Sequence, residues 1–155
     1  MAQNIIDNIG RERYTPKDFQ AIRSQCVASN ISRANRIVGR IFEEAFRDVG
    51  ISSPQFALLV SLAIAPGSSA GDIAETLGSD PSTVSRNTEL LLKRGLITVE
   101  PGQDRRYRKY FLSEEGDETV QSCVPLWKKA QRMVLKQVGP SDWEDIRKGL
   151  LQLQS

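Results

Sequence analysis

The sequence predicts a mainly α-helical chain that carries one small β-hairpin. Three observations predict it. Apolar residues recur near helical spacing through most of the 155 residues. Several expected helix starts pair a Ser, Thr or Asp with a first-turn proline, as at Thr15-Pro16, Ser53-Pro54 and Asp80-Pro81. Residues 96–112 read as two strands around a Pro101-Gly102 turn, with period-two alternation from Tyr107 to Leu112.

The elements follow in chain order. Residues 1–15 read as loose, with polar Gln3, Asn4, Gly10, Arg11 and Arg13. Thr15 caps a helix that is expected to run unbroken from Pro16 to about Asp48, because no Pro intervenes and Gly39 is its only Gly. Ile22, Cys26, Ile31, Ile37, Ile41 and Phe46 recur along it, with Arg33, Arg36 and Arg40 between them. At roughly 30 residues it far exceeds the average helix of about 11–12. That length fits poorly into a small monomer and points to packing against a second chain. Gly50 stops this helix, and Ser52-Ser53-Pro54 starts a second, apolar one that ends at Pro66-Gly67.

Ser69 caps a short third helix with Ile73, Ala74 and Leu77 inward, closed by Gly78. Asp80-Pro81 opens a fourth, which runs to about Arg94, where Lys93 and Arg94 suit the negative end of the helix dipole. Gly95 terminates it. Leu96 to Val99 reads as a strand, Pro101 to Asp104 as a turn, and Tyr107 to Leu112 as the return strand. Ser113 starts another helix, in which Pro125 is expected to make a kink or a break. Gly139-Pro140-Ser141 separates a last helix with Trp143, Ile146, Leu150, Leu151 and Leu153.

Composition excludes much. The chain has no His, which removes Ser-His-Asp and Cys-His triads and histidine metal sites. Gly67-Ser68-Ser69-Ala70-Gly71 matches a hydrolase nucleophile elbow, but a helix precedes it and no His partner exists. No enzyme, cofactor or metal site is therefore expected. Lys plus Arg number 21 against 19 Asp plus Glu, a net charge of +2. Nucleic-acid affinity must then come from a local patch. Two cysteines without a CxxC pair, no signal peptide and no apolar run of membrane length suggest a cytoplasmic protein without a membrane segment.

Residues 53–112 carry the functional signal. Two helices joined at Gly78-Ser79 form a helix-turn-helix, and the basic hairpin behind it makes a wing. The first turn of the fourth helix presents Ser82, Thr83, Ser85 and Arg86, whose hydroxyls and guanidinium suit bases and phosphates, while Asn87 suits adenine. Val84, Leu91 and Thr88 are expected to face the core. The helix N-terminus also offers backbone N–H groups to phosphate. In the hairpin, Arg105, Arg106 and Arg108 are candidates for minor-groove and backbone contact, and Asp104 for orienting an arginine. The partner expected from these residues is double-stranded DNA.

The run Ser82-Thr83-Val84-Ser85-Arg86, then Leu91, Lys93-Arg94-Gly95-Leu96-Ile97, Asp104-Arg105-Arg106 and Leu112-Ser113-x-x-Gly116 resembles the MarR family of winged helix-turn-helix transcriptional regulators. The first helix, with Asn30, Arg33, Arg36 and Arg40, is similar to theirs. The sequence departs from the family pattern at Asn87, Leu90 and Leu92. The resemblance implies three parts: an N-terminal dimerisation region over 1–48, the winged helix-turn-helix over 49–113, and C-terminal dimerisation helices over 114–155. It further implies a homodimer on a pseudo-palindromic operator, most simply a repressor, relieved by a small aromatic or phenolic effector. Trp127, Trp143 and Met133 are candidates for that effector pocket, although their spacing reads first as core between chains. Cys26 and Cys123 resemble the layout of the family's peroxide-sensing branch, which makes thiol-based redox sensing an alternative; a helical interaction module that does not bind DNA is the other.

Overall fold

The computed structural model describes residues 14–102 and 108–153. The chain divides into two compact units, Met1–Ile37 and Val38–Ser155. The expected turn residues Gln103 and Asp104, together with Arg105, Arg106 and Tyr107, lie outside the described residues, as does the loose segment 1–13.

In the first unit, α1 spans Pro16–Gln25 and begins at a reciprocal cap. The Asp18 carboxylate accepts from the Thr15 N–H at 2.7 Å, and Thr15 Oγ1 accepts from the Asp18 N–H at 3.4 Å. The expected single helix to Asp48 is corrected here. Cys26 turns extended, with ψ 114°, and α2 starts anew over Val27–Phe46. Local hydrogen bonds explain the break. In an unbroken helix the Ala28 N–H would serve the Ser24 carbonyl. The Asn30 amide replaces it, donating to Ser24 O and to Cys26 O at 3.0 Å each.

In the second unit a 3-10 turn, Arg47–Val49, leads to Gly50, whose φ of +68° ends it in the left-handed region. Three capped helices follow. They are α3 (Ser53–Ile64, cap Ser52), α4 (Ala70–Leu77, cap Ser69) and α5 (Pro81–Lys93, cap Asp80). Strands β1 (Ile97–Pro101) and β2 (Arg108–Leu112) pair antiparallel, from Ile97 opposite Leu112 to Pro101 opposite Arg108. Leu96 falls outside the strand because it ties two elements together. Its N–H donates to Leu91 O, and its carbonyl accepts from the Ser113 N–H. Ser68 adds a third short strand position: Tyr110 N–H donates to Ser68 O at 3.0 Å, and Gly67 N–H to Tyr110 O at 2.9 Å.

Two long helices complete the unit, α6 (Glu114–Val138, cap Ser113) and α7 (Pro140–Gln152). Of the kink or break expected at Pro125, the break does not occur, and α6 runs through it. A proline there removes one N–H from a helix of 25 residues, so many intact bonds and the buried Cys123, Ala130 and Val134 outweigh it. The core gathers around α3, with Leu58, Leu59 and Leu62 against Ile73, Val84, Leu91, Leu96, Ile97 and Tyr110. Helix-turn-helix and hairpin thus share one apolar centre, the architecture of a winged helix. Among the described residues no helix is long and apolar enough to cross a membrane.

Candidate nucleic-acid interface

The fourth expected helix is α5, and its two faces separate as the spacing predicts. Val84, Thr88 and Leu91 are buried. Thr88 Oγ1 meets its hydrogen-bonding need within the helix, donating to Ser85 O at 2.8 Å. Ser82, Thr83, Ser85 and Arg86 are exposed, and Asn87 is half-buried.

Local bonding separates these five. The side chains of Thr83, Ser85 and Arg86 make no hydrogen bond among the described residues and are available to an incoming group. Ser82 is not equally free. Its N–H donates to Asp80 Oδ1 at 2.8 Å, and its hydroxyl donates to the same oxygen. Those bonds, the hydroxyl's first, hold the Asp80 carboxyl below the ordinary carboxylate range. The expectation that this helix end offers its amides to phosphate is corrected accordingly. Pro81 has no N–H, and a carboxylate already occupies the Ser82 amide. Asn87 is also engaged, since its Nδ2 donates to Thr83 O at 3.0 Å.

The helical period brings further residues onto the outward stripe. Leu90 and Lys93 stand one and two turns beyond Arg86. Lys93 is exposed, and Leu90 is 42% exposed. The family motif names both without giving them a place in the interface; counting the period outward from buried Val84, Thr88 and Leu91 supplies it. Arg94 has a role the dipole argument did not foresee: its Nη1 donates to Gly50 O at 2.6 Å and ties the end of α5 to the turn before α3.

On the hairpin, Arg108 and Lys109 are exposed while Tyr110 is buried, so the described basic side chains of β2 face solvent. Arg105, Arg106 and Asp104 fall in the segment outside the described residues. The Gly67–Gly71 motif is a helix cap. Ser69 Oγ donates to Asp72 Oδ2 at 2.8 Å and accepts from the Asp72 N–H.

Behind the helix-turn-helix lies an open cleft of about 600 Å³. Phe42 and Phe46 of α2, Phe56 and Val60 of α3, and Trp127 of α6 line it. The Phe46 and Phe56 rings stand 4.8 Å apart at 44°. Trp127 therefore belongs to this cleft, whereas Trp143 and Met133 do not line it. A smaller groove of about 180 Å³ shares Ala57 and Leu77 with the cleft and reaches Thr83 and Asn87 on α5.

The cysteines differ. Both are free thiols. Cys26 is part-exposed at the start of α2, and bonds from the Ser29 hydroxyl, then its N–H, lower its thiol pKa. Arg23, three residues earlier, has no part in that shift. Cys123 is fully buried, and burial pushes its thiol up.

The comparisons with known proteins agree with this architecture. The model of the MarR family matches residues 49–106. The M. tuberculosis transcriptional regulator MosR, solved in complex with DNA, is 30% identical, with a TM-score of 0.76 over 84% of this chain and 94% of that one. Bordetella bronchiseptica BpsR, whose DNA binding is described as regulated by 6-hydroxynicotinic acid, is 25% identical, with a TM-score of 0.75 over 84% and 95%. A mutant of MarR from E. coli, complexed with operator DNA, is 18% identical and shares the fold, with a TM-score of 0.78 over 86% and 96%. No curated protein matches the chain.

Proposed function

Because this chain belongs to the MarR family of winged helix-turn-helix transcriptional regulators, we propose that it binds a pseudo-palindromic operator as a homodimer and represses until a small aromatic or phenolic effector releases it. The observation that carries this reading is the outward stripe of α5. Thr83, Ser85 and Arg86 stand exposed and unengaged on a helix whose opposite face is sealed into the core. Such a helix can enter a major groove without losing its own packing. Arg86 bonds guanine, Thr83 and Ser85 meet bases or phosphate, and Ser82 orders the first turn through Asp80. Asn87 reads adenine after giving up its bond to Thr83 O. Arg108 meets the backbone, Arg105 and Arg106 the adjacent minor groove, and Asp104 orients one of them.

Dimerisation is supported by apolar side chains left in water. Tyr14, Phe19, Ile22, Val27 and Ile31 are exposed in the first unit, as are Ile146 and Leu151 on α7 and Leu153 just after it. Helices with so much unburied apolar surface call for a second chain. The dimerisation regions are 1–48 and 114–155, flanking the DNA-binding part at 49–113. The cleft lined by Phe46, Phe56 and Trp127 is the effector site.

Titration of a selected duplex against the protein at several salt concentrations tests the reading. Binding weakens as salt rises, because each contacted phosphate releases counterions. Arg86→Ala costs about 1–3 kcal/mol if the side chain reads a base. A loss of only a few tenths would remove Arg86 from the interface.

A second reading is favoured by one observation, the lowered thiol of Cys26. In it the Cys26 thiolate attacks a peroxide oxygen, the O–O bond breaks, and Cys26 becomes a sulfenic acid as the peroxide leaves as an alcohol or water. Buried Cys123 has the wrong environment for the attacking role. Peroxide then releases DNA from the parent and not from Cys26→Ser; release from both would end this reading.

A further inference from the structure

We propose that Leu90 is a sequence-reading residue, whose side chain packs on a thymine methyl group in the major groove close to the guanine that Arg86 bonds. The inference rests on the DNA-binding reading of α5 and adds to it a base preference and the residue that sets it.

Thr83, Arg86, Asn87 and Leu90 stand at i, i+3, i+4 and i+7 on α5, so they share one face of it. Val84, Thr88 and Leu91 hold a different face to the core. The three leucines at 90–92 part company in the fold. Leu91 is fully buried, and Leu92 is half-buried against the core. Leu90 is 42% exposed.

An isolated exposed leucine is ordinary on a protein surface. This one continues a face whose other three members are polar. Arg86 stands one turn before it and Lys93 one turn after. Among the described residues neither cation is paired with a carboxylate. Glu89, the one anion within α5, falls beside Ser85 and off the face that Leu90 continues. Unpaired cations on both sides of an apolar side chain suit a surface that is anionic at its rim and apolar at its floor. The major groove is such a surface, with phosphates along its walls and thymine methyls on its floor. An apolar protein segment would complement Leu90 and leave both cations unanswered.

Leucine has no side-chain donor or acceptor, so the methyl group is what it can read. A G·C pair at that step leaves polar edges covered by a side chain that cannot answer them, which opposes binding. Four residues of helix rise about 6 Å and base pairs stack about 3.4 Å apart, so the thymine lies within about two base pairs of the guanine that Arg86 bonds.

Anisotropy titration of the full chain on a duplex selected from a random pool tests this. Each thymine of a half-site is replaced in turn by deoxyuridine, which lacks only the methyl group. Each guanine is replaced by 7-deazaguanine, which lacks the N7 acceptor. In the parent, one deoxyuridine is expected to weaken binding about 4-fold, the worth of one buried methyl group. It lies within about two base pairs of a guanine whose N7 matters. In Leu90→Ala the same deoxyuridine changes nothing, while Leu90→Met, still long and apolar, keeps the penalty. Leu90 is exposed and alanine suits a helix, so Leu90→Ala folds as the parent does, which melting checks. Equal deoxyuridine penalties in the parent and Leu90→Ala, or no penalty at any thymine, overturn the inference while leaving α5 a DNA-reading helix. So does a Leu90→Ala variant that binds the selected duplex as tightly as the parent, which gives Leu90 to another partner. If the parent binds no duplex from the pool, the DNA-binding reading falls with it.

Discussion

At Gly116 a whole motif reduces to one contact. A Cβ on this residue would fall inside the van der Waals shell of the Leu96 carbonyl oxygen, backbone against α6. Ser113 caps the same turn, accepting from the Gly116 N–H at 3.0 Å and donating to Gly95 O at 2.6 Å. The Leu112-Ser113-x-x-Gly116 pattern is thus the joint between hairpin and long helix. Gly116→Ala is expected to destabilise by about 3 kcal/mol, since the backbone must move to admit a methyl group; chemical denaturation measures it. The thiols give a second prediction. Cys26, part-exposed and lowered, should alkylate much faster near pH 8 than Cys123, buried and raised. Mass spectrometry of a timed iodoacetamide reaction reads both; equal rates would contradict the environments described. Of these residues, Gly116 stood in the sequence as part of a pattern without its reason, because the atom it meets lies twenty positions away.

Helix ends show what a sequence can carry. Thr15, Ser52, Ser69, Asp80 and Ser113 all cap the helices they were expected to open. A cap is a bond across two or three residues, so its information is local. Breaks inside helices were less legible. The one at Cys26 depends on an exchange among Ser24, Ala28 and Asn30, and the continuity at Pro125 on packing from the rest of the unit. The caps carry a pH dependence. Asp18, Asp72 and Asp80 are each lowered by bonds from the Thr or Ser they face. A carboxylate lowered in the folded state contributes stability that is complete above its ordinary pKa and lost as pH falls through the lowered value. Melting temperature should therefore hold steady near neutrality and fall below about pH 4. In Asp72→Asn and Asp80→Asn that acid-side fall should be shallower; an unchanged slope would deny the caps this role.

The second unit is a helix-turn-helix and hairpin on one core, and helices earlier and later in the chain carry exposed apolar residues. The helix-turn-helix and wing were legible because caps, glycine stops and period-two alternation succeed one another within sixty residues. The cleft was not, because Phe42, Phe56 and Trp127 come from three separate stretches of chain. The partner surface proposed above was legible only as an excess of length and apolar residues in the terminal helices. Sedimentation of the protein with and without a duplex selected from a random pool tests the central claim most directly. The account predicts two chains at micromolar concentration, two chains per duplex, and a selected site whose halves repeat with inverted symmetry. Single chains, or a duplex that binds no protein even in dilute salt, would contradict it.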